Sequence, residues 1–142
     1  MPTAKNAGMK KILIGGRALV ALGSSRNTLD INYLVNDRST KEKFIHRDGV
    51  DYCNANGSKF FKAIYEVEKE HQIASPQSLL ELKAYGWIQH SLNGNWKKVT
   101  DYEYDIKFLV QNHGVRNLSV VKKYVSQSEY EEIQKLINDV KV

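Results

Sequence analysis

The first apolar segments of the chain are short and are broken by glycine, a pattern typical of alternating strands and helices. Ile12–Ile14 is wholly apolar and ends at Gly15 and Gly16, which predicts a buried strand followed by a turn. The aliphatic residues of 18–22 suit a helix packed against a sheet, and Gly23 ends it. The chain is therefore expected to begin with a strand, a glycine turn and a short helix.

The next two segments have features of strands. In 29–35 apolar and polar positions alternate, so Asp30 and Asn32 project from the same face of the predicted strand. The segment 44–52 predicts a second strand or a hairpin, with the Asp-Gly dipeptide at 48–49 as its turn. Together with the first strand, these segments predict a small mixed sheet.

The middle of the chain changes to helical spacing. The apolar positions of 59–69 fit either an amphipathic helix or a strand, and the sequence leaves both open. Ser75 as N-cap, with Pro76 at the first helical position, predicts a helix that runs through Trp87.

Two capping boxes predict the last helices. Thr100 with Glu103 is expected to start a helix that closes at Gly114. Ser126 with Glu129 repeats the device for a final helix. The order of elements predicts an α/β (α+β) fold, a small mixed β-sheet flanked by helices with a helical C-terminal half.

Composition narrows the class of protein. The 142 residues, of which 42% are hydrophobic, fit a single domain over 1–142 with its own core. The net charge of +5 favours polyanionic partners such as nucleotides or RNA. A single cysteine, Cys53, excludes an internal disulfide framework and suits a reducing compartment. No segment has the apolar core of a signal peptide or the length of a membrane span, so we expect a cytoplasmic protein without a membrane partner.

The predicted strand at 29–35 carries the candidate chemistry. Side chains two residues apart on a strand, here Asp30 and Asn32, can direct their oxygens at a hard cation such as magnesium. The glycine turn, Gly15 and Gly16, offers backbone N–H groups to a triphosphate. A third carboxylate on an adjacent strand would complete a two-metal site for phosphoryl or nucleotidyl transfer. Asp51 is the candidate for it, and Asp48 competes.

These residues carry a resemblance to a known superfamily. The matching positions are Gly15, Gly16, Ser24, Arg26, Thr28, Asp30, Ile31 and Asn32. Their spacing resembles the DNA polymerase β-type nucleotidyltransferase signature, a Gly-Gly or Gly-Ser turn followed by an acid-x-acid strand that Arg-x-Thr often introduces. "VDYCNANGS" lies where the superfamily places its third acid. "IASPQSLLELKAYGW" and "DYEYDIKFLV" resemble helices of the small nucleotidyltransferases of abortive-infection and toxin–antitoxin systems, so the similarity covers residues 12 to about 112.

The resemblance implies a function and a set of site residues. It implies the minimal nucleotidyltransferase fold and transfer of a nucleoside monophosphate from a nucleoside triphosphate to a hydroxyl of RNA or protein. The implied cofactor is Mg²⁺ or Mn²⁺, and a toxin–antitoxin partner is a further implication. The implied catalytic and metal-binding positions are Asp30, Asn32 and Asp51. The implied nucleotide-binding residues are Gly15, Gly16, Ser24, Arg26 and Lys83. Asp105 would either support Lys83 or occupy a polar helix face.

Asn32 departs from the family pattern, which has aspartate or glutamate at this position. An amide supplies one neutral oxygen, and losing an anionic ligand weakens dication binding by on the order of a few kcal/mol in a dry site. Three explanations stay open: a natural member that binds nucleotide without turnover, a variant whose catalytic aspartate was replaced, or an enzyme that tolerates the amide. A nucleotidyltransferase-like protein is therefore predicted, with a catalytically silent nucleotide- or partner-binding module as the alternative.

Each site residue also has a purely structural explanation. The glycine turn could simply join a strand to a helix, Ser24 could cap a turn, and Arg26 and Lys83 could be solvated. A basic RNA-binding domain on the same scaffold is a third hypothesis, and the test is whether positive side chains gather around the glycine turn or elsewhere. The four histidines lack metal-ligand spacing and are assigned no role.

Overall fold

The computed structural model describes residues 9–26, 28 and 30–141. The chain divides into two compact units, a front unit that ends at Ala74 and a back unit that begins at Ser75. Within the described residues the front unit contains a four-stranded mixed sheet with two α-helices, and the back unit contains three α-helices. The predicted α/β class, with a small mixed sheet and a helical C-terminal half, is confirmed. The single-domain prediction stays a prediction.

The front unit contains all the strands of the described residues. Its elements are β1 (Ile12–Ile14), α1 (Gly15–Ala21), β2 (Asn32–Val35), β3 (Phe44–Arg47), β4 (Val50–Asn54) and α2 (Lys59–Glu68). The strand order is β1-β2-β4-β3, in which β2 and β4 are parallel and the two outer pairs are antiparallel. Of the two alternatives for 44–52, a strand or a hairpin, the structure has the hairpin, because β3 and β4 pair antiparallel around Asp48 and Gly49. These two residues have positive φ, 55° and 77°, as in a type I′ turn.

The two faces of this sheet have different surroundings. One face carries Ile12 and Leu34, which are fully buried. The helix α2 lies on the same face, where Phe61 contacts Phe44 edge to face with ring centroids 5.7 Å apart. Of the two alternatives for 59–69, an amphipathic helix or a strand, the structure has the helix, and Ser58 is its N-cap. The opposite face carries the half-buried side chains Leu13, Tyr33 and Tyr52.

Two front-unit boundaries differ from the sequence pattern. The helix α1 begins at Gly15 itself, so the glycine turn is the first turn of the helix and not a separate connection. The strand β2 begins at Asn32, so Asp30 precedes the strand, and the predicted start at Leu29 lies outside the described residues. Helix and strand limits from periodicity alone are commonly displaced by a few residues, since end positions depend on hydrogen-bond partners from elsewhere.

The back unit contains α3 (Pro76–Leu92), α4 (Trp96–His113) and α5 (Gln127–Asn138). The apolar sides of the three helices pack together, and their buried residues include Leu79, Leu80, Ile88, Ile106, Leu109, Ile133 and Ile137. Gly86 of α3 lies directly against the ring of Tyr102 on α4, so the two helices approach closely at this point. No helix in the described part of the chain combines the length and apolarity needed to cross a membrane.

The helix caps show where the sequence signals succeed and where one fails. Ser75 accepts a hydrogen bond from Ser78 N with Pro76 following it, and the complete capping box of Ser126 and Glu129 is present, as predicted. The predicted start at Thr100 is wrong, because α4 begins four residues earlier and Asn95 is its N-cap. Thr100 lies inside the helix, where its hydroxyl donates to the carbonyl of Trp96 at 3.1 Å.

A buried carboxylate ties α3 to the chain that precedes α5. Glu81 is 2% exposed and accepts hydrogen bonds from the backbone N–H groups of Val120 and Val121, each at 2.9 Å. These residues open the short 3-10 turn Val121–Lys123, whose first N–H groups have no partner inside the turn. Burial raises the pKa of Glu81 above its ordinary value, against the effect of the two N–H donors.

Candidate functional site

The parallel pairing of β2 and β4 places Asn32 directly beside Asp51. The two residues are register partners, and Asp51 N donates to the carbonyl of Ile31 at 3.0 Å. Because partners on neighbouring strands project from the same face of a sheet, the Asn32 and Asp51 side chains lie together. Asp30 lies two residues before Asn32 and is exposed. The structure therefore brings the second and third predicted metal positions onto adjacent strands.

Of the two candidates for the third acid, only Asp51 has this position. Asp48 lies in the hairpin turn with φ of 55°, outside both strands. The difference follows from the two-residue turn, which pairs Arg47 with Val50 and so places Asp51 within the strand. The side chain of Asp51 is 54% exposed, so it is accessible to a ligand from solution.

Gly15 lies against the side chain of Asn32. Its φ is 73°, and a Cβ atom added there would lie 2.5 Å from Asn32 Nδ2 and 3.1 Å from Asn32 Cβ. Both the backbone conformation and the lack of space exclude a larger residue without rearrangement. The positive φ, together with the close approach to the Asn32 side chain, therefore favours glycine at this position.

Gly16 is equally close to the segment that precedes β2. A Cβ added to Gly16 would lie 2.8 Å from a guanidinium nitrogen of Arg26 and 2.8 Å from Thr28 Cγ2. Arg26 is half-buried, and its guanidinium therefore lies against the backbone of the glycine turn. The positive group and the backbone of the turn, which the sequence assigned separately to phosphate binding, are brought together.

Two hydroxyl groups shape the chain between α1 and Asp30. Ser24 is buried, and its hydroxyl oxygen accepts from Arg26 N at 3.2 Å. The hydroxyl oxygen of Thr28 accepts from Asp30 N at 3.3 Å. For Ser24 this geometry corresponds to the turn-capping alternative, and its role towards phosphate stays a prediction.

His46 also belongs to this group, although its spacing in the sequence indicated no role for it. Its Nδ1 lies 2.6 Å from Asp51 Oδ1, and the two residues are partners in the antiparallel β3–β4 pair. A row of side chains across the sheet is thus formed by Asn32, Asp51 and His46. A signal for it was present, because a hairpin with its turn at 48–49 necessarily pairs residue 46 with residue 51.

Lys83 and Asp105 belong to the back unit, where they form a buried ion pair between α3 and α4. Lys83 Nζ lies 2.9 Å from Asp105 Oδ2, with side-chain exposures of 6% and 0%. The ammonium also lies 4.1 Å from the ring centroid of Tyr102, within the range of a cation–π contact. Asp105 was expected either to support Lys83 or to occupy a polar helix face. The structure has the first alternative, because the Asp105 carboxylate contacts the Lys83 ammonium. The assignment of Lys83 to nucleotide phosphates stays a prediction.

The predicted ligands provide oxygen donors of the kind that Mg²⁺ and Mn²⁺ prefer. Two of them, Asp30 and Asp51, are carboxylates, and Asn32 contributes an amide oxygen. The donor chemistry fits a hard divalent cation, with less negative charge than three carboxylates would provide. Among the residues that the structure describes, no group of three or more His, Cys, Asp or Glu side chains is placed to hold a metal ion.

Comparison of the chain with protein-family models, with curated proteins and with solved structures found no match. The resemblance to the nucleotidyltransferase superfamily therefore rests on the sequence motifs.

Proposed function

We propose that this chain is a nucleotidyltransferase-like protein that binds a nucleoside triphosphate together with Mg²⁺ or Mn²⁺. Its reaction is transfer of the nucleoside monophosphate to a hydroxyl group of RNA or of a protein. The supporting observation is the register of β2 and β4, which places Asn32 beside Asp51 while Gly15 lies against Asn32. Glycine turn, acid strand and third acid thus converge in one part of the front unit.

In the proposed reaction the acceptor hydroxyl oxygen loses its proton to solvent and forms a bond to the α-phosphorus. The bond from this phosphorus to the oxygen that bridges it to the β-phosphorus breaks, so pyrophosphate leaves with that oxygen. Asp30 and Asp51 would hold the divalent cation, with Asn32 as a neutral third ligand. When bound, the cation would activate the attacking hydroxyl and stabilise the charge on the leaving oxygens. Arg26, beside Gly16, would hold a phosphate through its forked donors.

His46 would act on the site through Asp51. Its ring nitrogen Nδ1 lies within hydrogen-bond distance of Asp51 Oδ1. The other oxygen of this carboxylate, Oδ2, would then be the one that contacts the cation. Hydrogen-bond partners of this kind orient metal-binding carboxylates and tune their affinity. We therefore assign His46 a positioning role for Asp51 within the proposed site.

A second candidate function is a catalytically silent module that binds nucleotide or a partner chain, for instance one component of a toxin–antitoxin pair. The amide at Asn32 is the observation that favours it. A unit charge pair about 4 Å apart is worth roughly 1 kcal/mol in water and about 4 kcal/mol near a protein surface. Because Asp30 and Asp51 are exposed, a carboxylate at position 32 should strengthen cation binding about tenfold or more.

The two candidates are separated by comparing this protein with Asn32→Asp. The measurements are calorimetric binding of each nucleoside triphosphate with Mg²⁺ or Mn²⁺, and label transfer from α-labelled triphosphates to total RNA and protein. Asn117→Asp is the matched control, since it adds the same charge on an exposed residue whose side-chain oxygen accepts from Ser119 N.

The outcomes are distinct. Label transfer by this protein supports the enzyme as it stands. Transfer by Asn32→Asp alone supports a nucleotidyltransferase site that the amide disables. Nucleotide binding by both proteins without transfer by either supports the silent module. Absence of cation-dependent nucleotide binding in both proteins refutes the proposed function.

A further inference from the structure

The face of the sheet opposite the proposed nucleotide site carries a continuous row of large side chains. Register partners place Leu13, Tyr33, Tyr52 and Ile45 next to one another across all four strands. Lys11 and Arg47, each two residues from a member of the row, are exposed. We name this set the tyrosine face: Lys11, Leu13, Tyr33, Ile45, Arg47 and Tyr52.

The rings of the two tyrosines lie next to each other with nearly parallel planes. Their ring centroids are 6.1 Å apart with an angle of 24° between the planes, and both side chains are half-buried. The ammonium of Lys11 lies 5.3 Å from the ring centroid of Tyr33. Within the described part of the chain, neither tyrosine hydroxyl has a hydrogen-bond partner. The face therefore offers ring surface, positive charge and two hydroxyl groups to a ligand.

A cavity of about 160 Å³ opens on the tyrosine face beside Tyr52. Lys11 and Arg47 line it, and Val35 and Ile45 form an apolar part of its wall. An enclosed cavity of about 150 Å³ binds benzene, so this cavity has the volume of about one planar ring. The acidic residue of the lining, Asp37, is 4% exposed and accepts hydrogen bonds from the N–H and hydroxyl of Ser39.

These features match the chemistry of a nucleic-acid strand. Bases stack on tyrosine rings irrespective of sequence, and lysine and arginine beside the rings meet the phosphates. The net charge of +5 favours the same polyanionic ligand. The unpartnered tyrosine hydroxyls can donate to and accept from a 2′-hydroxyl, the group that distinguishes RNA from DNA.

We propose that the tyrosine face binds single-stranded RNA, with bases stacked on Tyr33 and Tyr52 and phosphates held by Lys11 and Arg47. Asn32 and Asp51 project from the other face of the same sheet, so this site is separate from the proposed nucleotide site and does not depend on it.

The test is fluorescence anisotropy with end-labelled RNA of about 10 nucleotides, within the roughly 4–16 that single-strand-binding domains cover. Tyr52→Ala should weaken binding about tenfold or more. Lys11→Gln combined with Arg47→Gln should lower the slope of log affinity against log salt by about 0.7 for each lost phosphate contact. Tyr33→Phe with Tyr52→Phe should keep the stacking and reduce the preference for RNA over DNA of the same sequence.

A matched pair elsewhere in the chain supplies the control. Lys122 lies over the ring of Tyr130 at 5.4 Å in the back unit, so Lys122→Gln with Tyr130→Ala removes a similar lysine–tyrosine contact. This variant should bind RNA as the unchanged protein does. Circular dichroism verifies folding, and the exposed Lys11 and Arg47 keep the proposal testable where Tyr52→Ala does not fold.

Three results would overturn the proposal. The first is absence of RNA binding by the unchanged protein at low salt. The second is equal affinity for duplex and single-stranded RNA, or for RNA and DNA. The third is an unchanged salt slope in the variant lacking both Lys11 and Arg47 charges.

Discussion

Removing the carboxylate of Asp105 tests whether the ion pair in the back unit is as desolvated as its burial indicates. The Lys83 ammonium is 6% exposed and lies 2.9 Å from the Asp105 oxygen. At this distance, and at the effective dielectric constant of about 20 that suits protein sites, the attraction is about 6 kcal/mol, part of which offsets desolvation of the two charges. Asp105→Asn leaves a buried ammonium without its anion, so the free energy of unfolding should fall by about 3–5 kcal/mol.

Replacing both partners has a different expected result. Lys83→Met with Asp105→Leu removes both charges and keeps apolar volume between α3 and α4. Such replacements are commonly neutral or stabilising by about 1–4 kcal/mol, because no uncompensated charge stays buried. The double variant should therefore be more stable than either single variant, which a double-mutant cycle measures as coupling.

Urea unfolding followed by tryptophan fluorescence is the assay. Both tryptophans of the chain, Trp87 and Trp96, lie in α3 and α4, so the signal reports the back unit. Asp101→Asn is the control, because the Lys97–Asp101 pair on α4 has N and O 3.7 Å apart and Lys97 is 87% exposed. Its loss should cost less than about 1 kcal/mol.

If Asp105→Asn lowers the free energy of unfolding no more than Asp101→Asn does, the reasoning is refuted, because the Lys83–Asp105 pair would then behave as a solvated ion pair. The double variant also tests Lys83 as a nucleotide ligand. If it is folded and binds nucleotide with unchanged affinity, Lys83 is structural. If it is folded and its nucleotide affinity falls, the predicted phosphate contact gains support.

Two further predictions concern stability. Gly15→Ala should cost about 1–2 kcal/mol from its positive φ and at least about 1 kcal/mol more from displacing Asn32. Gly94→Ala, with a similar φ of 69° and open space around it, should show only the first cost. Because the two glycines belong to different units, urea unfolding is followed here by circular dichroism, and equal losses would contradict the close packing of Gly15. Glu81→Ala leaves the N–H groups of 120–121 without their acceptor and should cost about 2–4 kcal/mol, with a smaller loss for Glu81→Gln. Burial raises the pKa of Glu81 above its ordinary value of 4.5. The stabilising contribution of Glu81 is therefore fully present below pH 4.5 and is lost as the pH rises through the pKa of the folded state. Glu81→Gln should remove this part of the pH dependence of stability, and an unchanged pH profile would contradict the prediction.

The elements that the sequence predicted correctly are those with local causes. The Asp-Gly dipeptide at 48–49 favours the two positive φ values of a hairpin turn, and Ser75 with Pro76 starts α3 because hydroxyl and ring suit a helix N-terminus. The predicted helix start at Thr100 was wrong because Thr100 and Glu103 fit a helix interior as well as a capping box. The helix starts at the N-cap Asn95, five residues before Thr100.

The residues of the candidate site also divide into those that the local sequence indicates and those that only strand pairing brings together. Residue type and spacing along one segment pointed to the glycine turn and to Asp30, and the resemblance to the nucleotidyltransferase signature added Arg26. The turn at 48–49 predicts that residue 46 pairs with residue 51, so the contact of His46 with Asp51 could have been predicted from the sequence. The spacing of the histidines along the chain does not indicate it. The tyrosine face was not foreseen, because its members come from four strands that are separated in the sequence.

The sequence by itself determined the class of fold, the helix caps that depend on neighbouring residues, and the motif that resembles a nucleotidyltransferase. Only the tertiary structure decided that Asp51, and not Asp48, lies beside Asn32, that Gly15 is held against that amide, and that Tyr33 and Tyr52 share the opposite face. The physical reason is register. Strand pairing is set by long-range hydrogen bonds and by burial of one face, and a shift of a single residue would exchange the two faces.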